Sequence, residues 1–283
     1  MNPPAADVGV FGGSGFYSFL RDARQVDVDT PFGAPSAPVT VGTIGDRRVA
    51  FLPRHGPGHE WPAHRINYRA NLWAMARLGV TRVIGPSAVG SLKPEVCPGD
   101  LVVLDQLVDR TSGREATYYD GPSLHHISFA DPYCPELATL AVASCEETGV
   151  RVHDGGTVVV VQGPRFSTRA ESAWFRSNGW DVVNMTQYPE SALARELGMC
   201  YAGIALVTDY DTGVEGIEGI EPVTMERVFE VLEANVERVR SVLFDLIPKI
   251  PSNRACGCSE GLGPLSQDIM TIEIDDSEGE TTR

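Results

Sequence analysis

The chain has 283 residues, 42% hydrophobic and 22% charged, the profile of a globular protein long enough to bury one large core. Its 38 acidic residues against 23 basic ones leave a formal net charge of -15, which argues against nucleic-acid and anionic-membrane partners, because both recruit a basic field. No apolar run approaches the roughly 20 residues of a membrane span and no basic-then-apolar leader opens the chain, so a cytoplasmic protein is expected.

In chain order, residues 8–11 read as a short buried strand running into Gly12-Gly13-Ser14-Gly15. Residues 49–53 predict a strand ending in Arg54-His55, and 66–78 a buried helix stopped by Gly79. Two further strands follow at 82–85 and 101–104, then a helix over 135–148. The unbroken β-branched run at 157–161 marks a strand buried on both faces. A helix at 169–177, a strand at 181–183, a helix at 189–197 and a strand at 200–207 come next. Val228, Leu232, Val236, Val239, Leu243 and Leu246 recur at helical spacing and predict a long amphipathic helix.

Strands that alternate with helices, several of them apolar throughout, predict an α/β protein. Residues 1–250 are expected to form a single domain, a mixed and mostly buried central β-sheet flanked by helices. Residues 251–283 form an acidic C-terminal extension whose end is expected to be disordered. The six cysteines (Cys97, Cys134, Cys145, Cys200, Cys256 and Cys258) lie mostly in apolar segments, as reduced thiols do. Cys256-Gly257-Cys258 lacks a second pair at zinc-finger spacing, so it reads as a redox pair or a plain tail feature and no metal is expected.

In sheets of this kind ligands bind at the carboxyl ends of strands, and four such ends carry ligand-ready residues. Gly12-Gly13-Ser14-Gly15 reads equally as an anion loop and as a tight turn; it is neither G-x-G-x-x-G nor a Walker A loop. Arg54-His55-Gly56 suits a phosphate or carboxylate. His55, His59 and His64 do not share a helical face, so they offer no zinc site. Ser87-Ala88-Val89-Gly90-Ser91 reads as an oxyanion site or a simple glycine turn. Asp209 and Asp211 at the end of the 200–207 strand point the same way in an extended chain, so mutual repulsion would raise one of their pKa values; a solvated acidic turn is the plainer alternative. Ser167 or Thr168 with Glu171 fits a helix N-cap, and Phe166 ahead of it is either a stacking platform or core. Such a set suits a phosphate beside a planar, nitrogen-bearing ligand.

The ordered motifs GGSGFY, DTPFGAPS, LPRHG, NYRANLWA, SAVGSL, DQLVDRTSGR, QGPRFSTRAES, NMTQYPE and LVTDYDTG closely resemble those of the 5′-methylthioadenosine phosphorylases, in the trimeric purine nucleoside phosphorylase group. The resemblance runs from about residue 8 to 248 and implies the nucleoside phosphorylase fold. It also implies phosphorolysis of 5′-methylthioadenosine to adenine and 5-methylthioribose 1-phosphate, through an oxocarbenium-like transition state with inversion at C1′.

On that resemblance Ser14, Arg54, His55, Ser87, Ala88 and Thr186 fall on phosphate-binding positions, and Met185 and Asn184 beside the ribose. Phe166 falls beneath the base with Ser167 next to it. Asp209 and Asp211 occupy the catalytic, base-reading positions and favour adenine. His126 matches a residue donated across a subunit interface. Met225, Val228 and Phe229 match an apolar 5′ pocket, which favours a thioether over a hydroxyl. Inorganic phosphate is a co-substrate and no cofactor is implied; a homotrimer, or a pair of trimers, is. Ser14 and Ser87 stand where threonine is common, and Gln187 where small or apolar residues are usual. Together with the glycine- and glutamate-rich loop at 213–222, these departures bear on the 5′ substituent, since a 5′-halogenated 5′-deoxyadenosine fits a similar pocket. The alternative within the group is a 6-oxopurine nucleoside or methylthioinosine phosphorylase.

Overall fold

The computed structural model describes residues 5–12, 20–122, 124–212, 223–261 and 263. Eleven strands and five α-helices lie among them. In chain order they are β1 (Val8–Gly12), β2 (Arg21–Val26), β3 (Val39–Ile44), β4 (Arg47–Pro53), α1 (Tyr68–Arg77), β5 (Arg82–Ser91), β6 (Leu101–Val103) and β7 (Gln106–Arg110). There follow α2 (Pro135–Glu147), β8 (Val152–Asp154), β9 (Thr157–Val161), α3 (Arg169–Ser177), β10 (Val182–Asn184), α4 (Gln187–Glu196), β11 (Cys200–Asp209) and α5 (Met225–Lys249).

The strands join in the order β2-β3-β4-β1-β5-β10-β9-β7, and β11 branches from β5 through β6 to β8. The sheet is mixed: β1 is parallel to β4 and β5, and β5 to β11, whereas β10 meets the far end of β5 antiparallel. Successive side chains on a strand face opposite ways, and the core divides accordingly. Phe11 of β1 and Tyr201, Ala205 and Val207 of β11 pack with Leu72, Met75 and Leu193 on the α1/α4 face. Val8, Val10, Cys200, Ala202, Ile204 and Leu206 pack with Leu137, Val239 and Leu243 on the α2/α5 face. The β-branched run of β9 is buried at Val158, Val159 and Val160, as a strand covered on both faces requires.

Two differences from the sequence reading have clear causes. The strand expected to end at residue 85 runs on through Ser91, so the glycine-turn alternative for Ser87–Ser91 does not hold; pairing with β11 carries β5 on through Val89 and Gly90. The exposed edge strand β2 reads Arg-Asp-Ala-Arg-Gln-Val and has no apolar alternation to mark it. Beyond α5 the chain stays on the body: Arg82 Nη2 donates to the carbonyls of Pro251 (3.0 Å) and Asn253 (3.1 Å), and Cys258 is buried in the α2/α5 core. No helix among the described residues is long and apolar enough to cross a membrane.

Candidate active site

Arg54 leaves the end of β4 and lies buried beside Glu190 of α4. Its Nε and Nη2 donate to the two Glu190 carboxylate oxygens at 2.9 and 2.8 Å, and Nη1 donates to the Pro86 carbonyl at 2.7 Å. Burial works against the guanidinium charge, but Glu190 outweighs it and holds the pKa above its ordinary value. Tyr201 donates its hydroxyl to Glu190 Oε1 at 2.6 Å, completing the carboxylate's shell. Three of the five guanidinium N–H groups are thereby committed, which sets the fork's direction and leaves one N–H on each terminal nitrogen for a ligand. His55 follows, its Nδ1 2.8 Å from the Trp61 carbonyl; burial takes its pKa down to about 4, so it is neutral at pH 7. Its ring stacks on His59, which meets Phe229 edge-on at 5.9 Å.

At the neighbouring strand, Ser87 Oγ accepts from Asn184 Nδ2 and Gln187 Nε2, each at 3.2 Å. Gln187 is buried, also donates to the Gly85 carbonyl, and accepts from the Tyr133 hydroxyl. It therefore braces the strand that carries Ser87 and Ala88. Its polar side chain bears on this end of the site and not on the apolar residues of α5. Thr186 is buried at the N-cap position of α4, yet its hydroxyl makes no cap bond. Asn184 Oδ1 is buried with no hydrogen-bond partner, a cost of about 1–3 kcal/mol unless a ligand donor meets it.

Asp209 ends β11 and Asp211 follows it at φ +51°. The chain turns here and is not extended, so the two carboxylates come together by a different route from the one expected: the Asp211 N–H donates to Asp209 Oδ1 at 2.7 Å, while Thr208 Oγ1 donates to Oδ2 at 2.7 Å. Gly90 makes room for the pair, since a Cβ there would sit 2.9 Å from Asp209 Oδ1 and 3.2 Å from Asp211 Cβ. Burial raises the Asp209 carboxyl to about 6; the two donated bonds oppose it and the Asp211 charge adds least. Asp211 is raised too, again chiefly by burial, against the lowering effect of the nearby Ser172 and Ser167 hydroxyls and the Thr212 N–H. Repulsion is thus not the main cause, and both groups move. Asp211 Oδ2 is a second buried acceptor with no hydrogen-bond partner.

Phe166 is half-buried and Ser167 buried, just ahead of α3. Thr168, not Ser167, caps α3 in a capping box with Glu171, which leaves the Ser167 side chain uninvolved in the cap. Thr212 Oγ1 donates to the Ser167 carbonyl at 3.3 Å, joining this loop to the aspartate turn. Met185 is fixed through its carbonyl by Arg114 Nη1 (2.8 Å), which also binds the Tyr188 carbonyl; Arg114 Nη2 donates to the Gln162 carbonyl at 2.9 Å. Val228 is half-buried, and Met225 and Phe229 are exposed, so the described residues do not enclose a 5′ pocket around them. His126 is exposed on the segment before α2 and makes no described contact with the other candidates. Ser14 and the 213–222 loop lie outside the described residues.

Sequence reasoning missed Glu190, Gln187 as a brace, Tyr201 and Arg114. One signal was present: the polar Gln187 and Glu190 stand just ahead of the apolar run Ala192, Leu193 and Ala194, and both are fully buried; the extended backbone at Tyr188 between them means that helical spacing does not place them together.

A buried, aimed guanidinium, a set of hydroxyls, two buried acceptors without partners and a carboxyl of raised pKa, on an α/β sheet, are suited to an oxyanion beside a planar nitrogen base. The chain belongs to the phosphorylase superfamily, whose family model matches residues 7–248. An S-methyl-5′-thioadenosine phosphorylase of Mycolicibacterium smegmatis is 56% identical over 251 residues, 88% of this chain and 93% of that protein. A purine nucleoside phosphorylase of Streptomyces coelicolor is 52% identical over 278 residues, 95% of this chain and 98% of its own. The methylthioadenosine phosphorylase of Schistosoma mansoni, solved in complex with adenine, superposes with a TM-score of 0.83 at 37% identity, covering 88% of this chain and 93% of that one.

Proposed function

We propose that this chain cleaves 5′-methylthioadenosine with inorganic phosphate, releasing adenine and 5-methylthioribose 1-phosphate. The observation that carries this reading is the buried Asp209 carboxyl, raised to about 6, beside a second carboxylate with an unpaired acceptor. A 6-amino group would donate to such an acceptor and a protonated Asp209 would donate to N7; a 6-oxo group offers that acceptor no donor.

In this reading Arg54, His55, Ser87, Ala88, Thr186 and Ser14 hold phosphate against C1′. Phe166 lies under the base with Ser167 beside it, and Asn184 Oδ1 accepts from a ribose hydroxyl next to Met185. The C1′–N9 bond breaks, its electrons pass into the purine, and the Asp209 proton goes to N7. A phosphate oxygen then bonds to C1′ from the opposite face. Holding nucleophile and leaving group in line supplies positioning, and the developing positive charge on the ribose meets the phosphate dianion. The reaction uses no cofactor. Met225, Val228 and Phe229 would close a 5′ pocket together with a neighbouring subunit's His126, which suits a homotrimer, alone or as a pair of trimers. All six cysteines are free, in keeping with a cytoplasmic location.

Adenine release from 5′-methylthioadenosine, measured with and without phosphate, tests the proposal. Strict phosphate dependence with inosine untouched supports it, and phosphate-independent release overturns it. A second reading is a purine nucleoside phosphorylase of the 6-oxopurine kind; the Streptomyces relative, which covers more of the chain, is named a purine nucleoside phosphorylase without a stated base. Faster cleavage of inosine than of methylthioadenosine would select that reading.

A further inference from the structure

We propose that Cys134, Cys200, Cys256 and Cys258 form a tetrahedral zinc site that fastens the C-terminal extension to the phosphorylase body. The sequence shows only the Cys256-Gly257-Cys258 pair; the fold supplies the second pair that spacing alone does not. Cys134 precedes the first residue of α2, Cys200 opens β11, and the chain after α5 returns to lay Cys256 and Cys258 over both. The four Sγ atoms all lie within 4.8 Å of one another, with Cys200 and Cys256 at 3.3 Å. Four thiolates around one zinc, at Zn–S distances of about 2.3 Å, stand about 3.8 Å apart, so the observed cluster brackets the required spacing. Such a span is too small for a multi-iron cluster, and the all-sulfur donor set disfavours magnesium and calcium.

The surroundings match the charge such a site carries. Zinc with four thiolates is a dianion, and it needs cations and dipoles close by. Arg82 is buried with Nη1 3.7 Å from Cys200 Sγ, and its Nη2 holds the Pro251 and Asn253 carbonyls of the same extension. The N-terminus of α2 directs its peptide dipole toward Cys134. Three of the four cysteines are buried and the fourth is half-buried, so no open coordination position faces solvent and the site is structural. Binding is an exchange without electron transfer: one Zn²⁺ enters, four S–H protons leave to solvent, and four Zn–S bonds form. The alternative fate of four neighbouring thiols, two disulfides, releases four electrons and needs an oxidant.

The test uses the full chain, purified with a reductant and without chelator, then dialysed against zinc. Elemental analysis is expected to find one zinc per chain. Replacing it with cobalt is expected to give the sulfur-to-cobalt charge-transfer and intense visible bands of a tetrahedral thiolate site. The paired substitution Cys256→Ser, Cys258→Ser lowers zinc to about a tenth of an equivalent or less, whereas Cys97→Ser, outside the cluster, keeps the full equivalent. The cobalt spectrum is read on the unsubstituted chain, so it decides the matter even if the paired variant fails to fold. A protein with six titratable thiols and no retained metal overturns the proposal. So does a protein lighter by four hydrogens, which carries two disulfides in place of the ion.

Discussion

Replacing Asp209 by asparagine separates the energetic role of this carboxyl from its chemical one. Its pKa rises from the ordinary 3.8 to about 6, chiefly through burial. A raised carboxyl binds its proton more tightly folded than unfolded, so the native state loses stability as pH climbs through that interval. The rise corresponds to about 3 kcal/mol, fully felt above pH 6 and absent below about pH 4.

The amide removes this penalty while keeping the local bonds. Its oxygen accepts from the Asp211 N–H as Oδ1 does now. Thr208 Oγ1 sits 3.2 Å from the Val89 carbonyl, so it can turn its proton there and accept from the new amide nitrogen. Chemical denaturation at about pH 8 should therefore find Asp209→Asn more stable than the parent by about 3 kcal/mol, with the difference gone near pH 4. Over the same range methylthioadenosine cleavage should fall about 10²–10⁴-fold, the usual worth of a general acid. The parent's kcat/KM should decline about tenfold per pH step above 6, and the variant's should stay flat. A stability difference that does not change with pH would show that Asp209 is not desolvated and would refute the reasoning.

Asp211→Asn should leave the parent titration of Asp209 close to 6, because burial and not repulsion raises it; a fall toward 4 in the pH profile would restore repulsion as the cause. Glu190→Gln strands a buried guanidinium and should cost about 3–5 kcal/mol in chemical denaturation, with a raised KM for phosphate as the fork loses its aim. Gly90→Ala drives a methyl group against the Asp209 carboxylate and the Asp211 Cβ and should lower kcat about tenfold or more while far-UV circular dichroism stays unchanged. Gln187→Leu unpairs the Gly85 carbonyl and the Tyr133 hydroxyl, so it should cost about 1–3 kcal/mol and raise the KM for phosphate more than that for the nucleoside.

Elements whose signals are local were legible in the sequence. α3 spans the residues expected of it because Thr168 and Glu171 close a capping box at its first turn, a pattern confined to four neighbouring residues. β9 was legible because a β-branched run buried on both faces has few other uses. Elements defined by their partners were not. The far half of β5 has the composition of a turn and becomes strand only because β11 lies alongside it, and β2 exists as an edge on β3 with charged side chains in solvent. Gly42 permits that edge, since a Cβ there would sit 2.7 Å from the Arg21 carbonyl.

The site divides along the same line. The residues proposed to meet a ligand could be picked out because a polar side chain at the end of a buried strand has little other reason to be there, as with Arg54, Ser87 and Asp209. What directs those side chains could not be, because a buried charge demands a partner without naming it. Arg54 finds its partner 136 positions away, on a helix whose sequence looks like core packing. The aspartates make the point most sharply. Reasoning from two like charges on one strand end predicts one raised pKa, and an exposed pair would behave so. Folding instead sets Gly90 against both aspartates and ties the Ser167 loop to their turn, and desolvation then acts on each carboxyl separately. A carboxyl whose pKa is raised because it is dry is raised further when a base covers it, since the ligand removes more water. One raised by its neighbour's charge would fall back once that neighbour bound a donor. The first arrangement favours protonation of Asp209 as the purine binds.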